Sequence, residues 1–340
     1  MAATAFAALL LSGCASRDAA PPASGTAHGT AAAPEPSASA FGVLVMAHGG
    51  TPEWNEAVLV AVKPLKARYA IEVAFGMADA ATLQEGVRKL EAQNVRKIGV
   101  VRLFVSGESW FEQTEQIFGL RPGAPERAGS DHAGHAGAGH AHAAHAGHAG
   151  AEHAAHAGAG HAGHGEHSME FFRVATGASF ALTTEGLADA QEIGAVLADR
   201  ASALSKTPAR EDVLILAHGP GDDAENERWL TKLDALAGAV RARAPFRRVQ
   251  VETLREDWPE KRVAAEKRIR AFVERASQED GKAIVIPFRV QGFGPYAEVL
   301  QGLDYVADRK GLIPHAAVST WIERQIAALE SGAFRAPLPR

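Results

Sequence analysis

The segment Val43-Leu44-Val45-Met46-Ala47-His48-Gly49 returns as Val213-Leu214-Ile215-Leu216-Ala217-His218-Gly219, and this internal duplication restricts the possible folds more than any other feature. Each copy is an unbroken apolar run, the pattern of a strand buried on both faces, and each stops at His-Gly. Turn residues follow, Gly50-Thr51-Pro52 in one copy and Pro220-Gly221-Asp222 in the other. Helical spacing of apolar residues comes next over 55–68 and 226–243, then second strands over 71–75 and 248–254. Helices over 81–93 and 259–275 lead to third strands, 98–105 and 283–290, which break at Gly107 and Gly292. The first copy resumes with an extended segment over 171–181 and a helix over 187–204; the second ends with 305–313 and a helix over 317–329. Strands alternating with helices in this order specify parallel sheets covered by helices on both faces. The expected fold class is α/β, with two similar lobes, each a parallel sheet flanked by helices, over 41–205 and 208–332.

Two stretches stand outside the duplication. Residues 1–40 begin with a short Ala/Leu/Phe run that ends in the lipobox Leu11-Ser12-Gly13-Cys14. Small residues before a cysteine fit a lipoprotein signal peptidase, so the expectation is a signal peptide and a flexible Ala/Pro/Ser tether. On this reading the protein is exported to the periplasmic face of a bacterial membrane and touches that membrane only through a lipid on Cys14. The run lacks a basic n-region, and a fortuitous lipobox would leave the protein in the cytoplasm. The second stretch, a His-rich insert over about 123–168, holds eleven of the fifteen histidines of the chain. Its His-x-x-His steps are His132/His135, His142/His145/His148, His153/His156 and His161/His164/His167. Dominated by Ala, Gly and His and without large apolar side chains, it cannot build a core, so disorder is expected, and imidazole at this density binds borderline divalent metals such as Co, Ni, Cu and Zn.

Composition excludes several classes. Lys+Arg at 35 against Asp+Glu at 40, a net charge of -5, offers no cationic surplus to displace counterions from phosphates, so no nucleic-acid partner is expected. A single cysteine rules out a disulfide framework and any multi-Cys zinc centre, which leaves His and carboxylates as metal ligands. No apolar run approaches the roughly 20 residues that span a bilayer.

In open parallel sheets ligands sit beyond the carboxyl ends of strands, and His48 and His218 both fall there. Packing rarely demands the same polar side chain at two such mouths. Neutral imidazole is a ligand for borderline divalent metals and also a proton acceptor near neutral pH, the pair of tasks that metal insertion into a macrocycle requires.

These residues carry a family resemblance. Ala-His-Gly after the first strand, the spacing to Val73-Ala74-Phe75, Leu103-Phe104-Val105-Ser106-Gly107 after the third strand, the duplication and the His-rich tract resemble the sirohydrochlorin chelatases, the CbiX-type cobaltochelatases and their ferrochelatase relatives. The resemblance covers about 41–331 and implies two chelatase-like lobes that place Co(II) or Fe(II) into a carboxylate-rich tetrapyrrole. It implies no nucleotide, and the chain has no Walker A sequence. On this likeness His48 matches the metal-binding histidine and His218 is its counterpart in the second lobe. The chain departs from the pattern twice. Phe75-Gly76-Met77 and Leu254-Arg255-Glu256 stand where a Glu often follows the second strand, and Gly107-Glu108-Ser109-Trp110 and Gly292-Phe293-Gly294-Pro295 where a second histidine commonly follows the third.

Nearby carboxylates, Glu108, Glu112 and Glu298, are substitutes as oxygen ligands or proton acceptors, Glu108 foremost, although Glu also favours a helix start. His315 reads as a helix-start residue, while Arg102, Arg255 and Arg289 are candidates to pair with substrate carboxylates. Of Trp54, Trp110, Trp229, Trp258 and Trp321, Trp110 is the one expected to offer its face to a planar ligand, the rest being packing residues. The function expected is a chelatase acting on Co or Fe, with Ni or Zn as further ions. The alternative is an exported metal-binding or metal-delivery lipoprotein that keeps the fold without turnover. Two covalently joined copies need no partner chain, so a monomer is expected.

Overall fold

The computed structural model describes residues 40–127 and 169–340. Cys14 with its lipobox and the tether before residue 40 lie outside the described residues. So does every metal-ligand candidate of the insert: His132, His135, His142, His145, His148, His153, His156, His161, His164 and His167. Of the histidines expected to hold metal, His48 and His218 are the two that the described residues include.

The duplicated pattern folds into two four-stranded parallel sheets. In the first, β1 (Ala40–Ala47) pairs with β2 (Ala70–Phe75) on one side and β3 (Val95–Leu103) on the other, and the short β4 (Ser179–Leu182) completes the order β2-β1-β3-β4. The second repeats it as β6-β5-β7-β8, with β5 (Glu211–Ala217), β6 (Arg248–Thr253), β7 (Lys282–Phe288) and β8 (Tyr305–Ala307). Ala47 aligns with Phe75 and Leu103, and Ala217 with Thr253 and Phe288, so the strand ends of the two sheets are in matching register.

The helices are α1 (Pro52–Val62), α2 (Ala80–Ala92), α3 (Phe111–Ile117), α4 (Glu192–Leu204), α5 (Asp223–Arg243), α6 (Pro259–Gln278), α7 (Tyr296–Val299) and α8 (Ala316–Glu330). The expected single helix over 55–68 divides at Lys63–Ala67 into a 3-10 segment, because Pro64 supplies no amide hydrogen and crowds the preceding turn. Side chains alternate along the central strands. Val43, Val45, Val213 and Ile215 point into one core, while Leu44 and Met46 enter a second core with α2, and Leu214 and Leu216 a third with α6.

The first of these cores is shared. It takes α1, α4, α5 and α8 between the sheets, and the last helix of each repeat packs on the opposite sheet, α4 against β7 and α5, α8 against β3 and α1. The lobes therefore have no separate interiors on this side. Among the described residues no helix is long and apolar enough to cross a membrane.

Candidate functional site

The strand order positions the candidate site. From β1 the chain moves outward to β2, and α2 then carries it back past β1 to β3, so the loops after β1 and β3 leave in opposite directions at the carboxyl ends, the place where open parallel sheets of this topology take ligands. His48 is the first residue past β1, and His218 the first past β5.

The backbone at these positions explains half of the His-Gly repeat. Gly49 and Gly219 adopt φ of 79° and 81°, in the left-handed region that favours glycine. A Cβ would also stand 3.1 Å from Phe75 Cβ in the first lobe and 2.6 Å from Thr253 Cβ in the second. The carbonyl of His48 accepts the Gly76 amide at 3.0 Å, and that of His218 the Arg255 amide at 2.8 Å, which pins both turns to the neighbouring strand end. Nothing in this frame demands an imidazole. The His48 side chain is exposed and that of His218 is half-buried, so the rings are placed for contact outside the core.

In each ring a nitrogen meets an oxygen acceptor, and the nitrogen differs. His48 Nδ1 lies 2.8 Å from its neighbour Gly49 O, whereas His218 Nε2 lies 2.8 Å from Asp257 Oδ2. Read from this network, neutral His48 carries its lone pair on Nε2 and neutral His218 on Nδ1. A carbonyl or carboxylate behind an imidazole is the usual device for fixing the tautomer of a metal ligand or base. Asp257→Ala is expected to release the constraint, and long-range proton–nitrogen NMR checks it: one tautomer of His218 in the parent protein, a mixture in the variant. A single unchanged tautomer in the variant would show that Asp257 does not set it.

An indole stands beside each imidazole. Trp54, in the first turn of α1, lies 6.0 Å from His48 between ring centroids, and Trp258 lies 6.1 Å from His218. The sequence predicts a ligand-facing indole for Trp110 and packing for the others. Trp229 and Trp321 are buried in the shared core and half-buried Trp54 packs against it; Trp110, also half-buried, rests on the outer core of the first lobe, while Trp54 and Trp258 are the two that border the histidines. Asp257 and these two indoles escape the sequence reading because they come from non-equivalent segments, one helix start and the turn after β6, and the duplication signals only equivalent ones.

The remaining candidates divide between site and scaffold. Glu108, on the loop after β3, is exposed and meets Arg228 of α5 at 3.3 Å. Glu112 pairs with Arg121 at 2.9 Å in the first turn of α3, and Glu298 is exposed on α7. His315 caps α8, accepting the Ala317 amide at 3.1 Å. The three arginines have internal roles that withdraw them from substrate recognition. Buried Arg102 donates to the carbonyls of Gly107, Thr183 and Ser109, and burial pulls its guanidinium down to about 10. Arg255 holds the carbonyls of Pro220 and Gly221, and Arg289 pairs with buried Glu256 at 2.6 Å. Among the described residues no three His, Cys, Asp or Glu side chains come together as a ready metal cage.

No protein-family model matches the sequence, and comparison with curated proteins gives no match. Solved structures do resemble it. SirB from Bacillus subtilis, determined with Fe3+, superposes with a TM-score of 0.55 at 12% identity, over 86% of this chain and 96% of that one. DR2241 from Deinococcus radiodurans, a multi-domain protein with structural similarity to chelatases and two additional domains, gives a TM-score of 0.47 at 19% identity over 87% of this chain. The present chain spans 57% of the length of DR2241. The protein therefore has a chelatase-like fold, built as two lobes of four parallel strands each.

Proposed function

We propose that the protein is a chelatase that inserts a divalent metal, Co or Fe, into sirohydrochlorin or a related tetrapyrrole without a nucleotide; Ni and Zn are further candidate ions. One observation carries the reading: an imidazole follows the central strand of each lobe, with one ring nitrogen held 2.8 Å from an acceptor and an indole alongside. The fold shared with SirB, whose structure contains Fe3+, supports it.

The chemistry exchanges one M2+ for two pyrrole N–H protons. His48, on an exposed turn and with its lone pair on Nε2, binds the incoming metal, helped by His218 or Glu108. The protons leave to the same set of groups, with His218 the base best prepared by a carboxylate. Trp54 and Trp258 supply flat apolar faces for a planar ligand. Export, a Cys14 lipid anchor and a monomeric state belong to the same proposal.

The test is to mix the purified protein with sirohydrochlorin and Co(II) or Fe(II) and follow the absorption change of the macrocycle. Turnover that depends on His48 supports the reading. Stoichiometric metal uptake without turnover supports the second reading, a metal-delivery protein, which the departures from the chelatase pattern after β2 and β3 favour. The His-rich insert, with its pairs and triplets such as His132/His135 and His161/His164/His167, raises local metal supply in either case. Deleting 128–167 is therefore expected to lower the bound-metal stoichiometry by several ions, measured by elemental analysis after dialysis, with an unchanged circular dichroism spectrum. An unchanged stoichiometry would refute the role.

A further inference from the structure

Arg228 differs from the other arginines near the strand ends. Arg102, Arg255 and Arg289 are buried or tied to backbone carbonyls and a buried glutamate. Arg228 lies in the second turn of α5, the helix that follows the His218 turn, and its charge partner is Glu108 on the loop after β3 of the other lobe. Their separation is 3.3 Å, and both side chains are more than half exposed, 52% for Arg228 and 57% for Glu108. An exposed, slightly long ion pair contributes little to stability and exchanges readily for another anion. Lys232, one turn further along the same face, meets Asp189 of the first lobe at 2.7 Å, so α5 directs a short cationic row at the opposite lobe.

We propose that Arg228 is a carboxylate-recognition residue and that the Glu108–Arg228 pair is the resting form of an exchange: a carboxylate of a polyanionic planar macrocycle takes the guanidinium and displaces Glu108. This inference rests on the chelatase reading. The exchange does two things at once. It anchors one edge of the macrocycle to α5, and it frees Glu108 beside the strand that pairs with the His48 strand, where the carboxylate is needed for metal or protons. Arg228 suits the task because a guanidinium matches a carboxylate through two parallel hydrogen bonds. Glu108 is then a competitor of the substrate in the resting protein and a helper after it binds, which makes the two members of one ion pair act with opposite sign on affinity.

The test is a binding titration of the full chain with metal-free uroporphyrin, an octacarboxylate, followed by quenching of tryptophan fluorescence. Arg228→Gln is expected to weaken binding about threefold to tenfold, and Glu108→Gln to tighten it about twofold to threefold, at low salt. Arg228→Lys should recover part of the loss. Loss of the pair as a mere structural contact would weaken binding in both variants or in neither, and either result overturns the exchange while leaving the chelatase reading standing. A parent protein that binds no uroporphyrin at all overturns both. Both positions are exposed, so circular dichroism is expected to show intact folds for the variants.

Discussion

His48→Ala is expected to lower the rate of metal insertion by at least about a hundredfold and to weaken Co(II) binding at the strand ends, whereas His218→Ala is expected to cost a similar factor in rate with a smaller loss of metal affinity. The difference follows from the two rings. His48 is exposed and its Nδ1 is engaged by the neighbouring carbonyl, so its Nε2 carries the lone pair that a ligand needs. His218 is backed by the Asp257 carboxylate at 2.8 Å, which fixes the Nε2–H tautomer and turns Nδ1 into the proton acceptor. Titration calorimetry with Co(II) on the chain lacking 128–167 separates the strand-end histidines from the insert, and stopped-flow absorption with sirohydrochlorin gives the rates. Equal loss of metal affinity in the two variants would mean that both rings hold the ion, and unchanged insertion rates would remove the histidines from the mechanism.

The duplication was legible because a strand buried on both faces must be apolar throughout, and two such runs that both end in His-Gly arise most simply by repeating one strand–turn–helix unit. The short edge strands were less so. The apolar segment 171–181 reads as one strand, but only Ser179–Leu182 pairs with β3, while Phe172 and Val174 plug the outer core beside α3. Burial and strand pairing ask for the same residue types, and periodicity does not separate them over so short a length. The exchange of α4 and α8 was invisible for a related reason: amphipathic spacing states that a helix has a buried face, not which sheet receives it.

The candidate site is legible only where it repeats. His48 and His218 stand out because the same side chain recurs at equivalent strand ends. The arginines were misjudged because a guanidinium near a strand end reads the same whether it faces a substrate or, like Arg102, closes a loop through backbone carbonyls. Asp257 follows Glu256 in a charged stretch, and only the turn after β6 turns the first toward His218 while the second pairs with Arg289.

Trp321→Ala is expected to destabilise the protein by roughly 3–5 kcal/mol, a large share of the stability of an ordinary domain. Trp321 is fully buried in the shared core, on the helix of the second repeat that packs against the first sheet. Its indole N–H donates to Glu185 Oε1 at 3.0 Å, so truncation removes a large apolar surface and leaves a carboxylate short of one donor. Because the core is common to both lobes, urea unfolding followed by fluorescence and by far-ultraviolet circular dichroism should remain one transition, shifted to lower denaturant as a whole. Loss of one lobe alone, in a separate earlier transition, would contradict the shared core. The same contact is acid-sensitive. Arg324 first, with smaller contributions from Trp321 and Gln325, holds the Glu185 carboxyl below its ordinary value near 4.5. A lowered folded-state value stabilises the fold above the unfolded one and loses that contribution as the pH falls through the folded one. Arg324→Ala should therefore bring Glu185 back toward its unfolded value and flatten the fall of stability with acid below about pH 4.5, measured as urea midpoints from pH 3 to 6. A slope as steep as that of the parent protein would mean that the acid sensitivity of the fold arises elsewhere than where α8 docks.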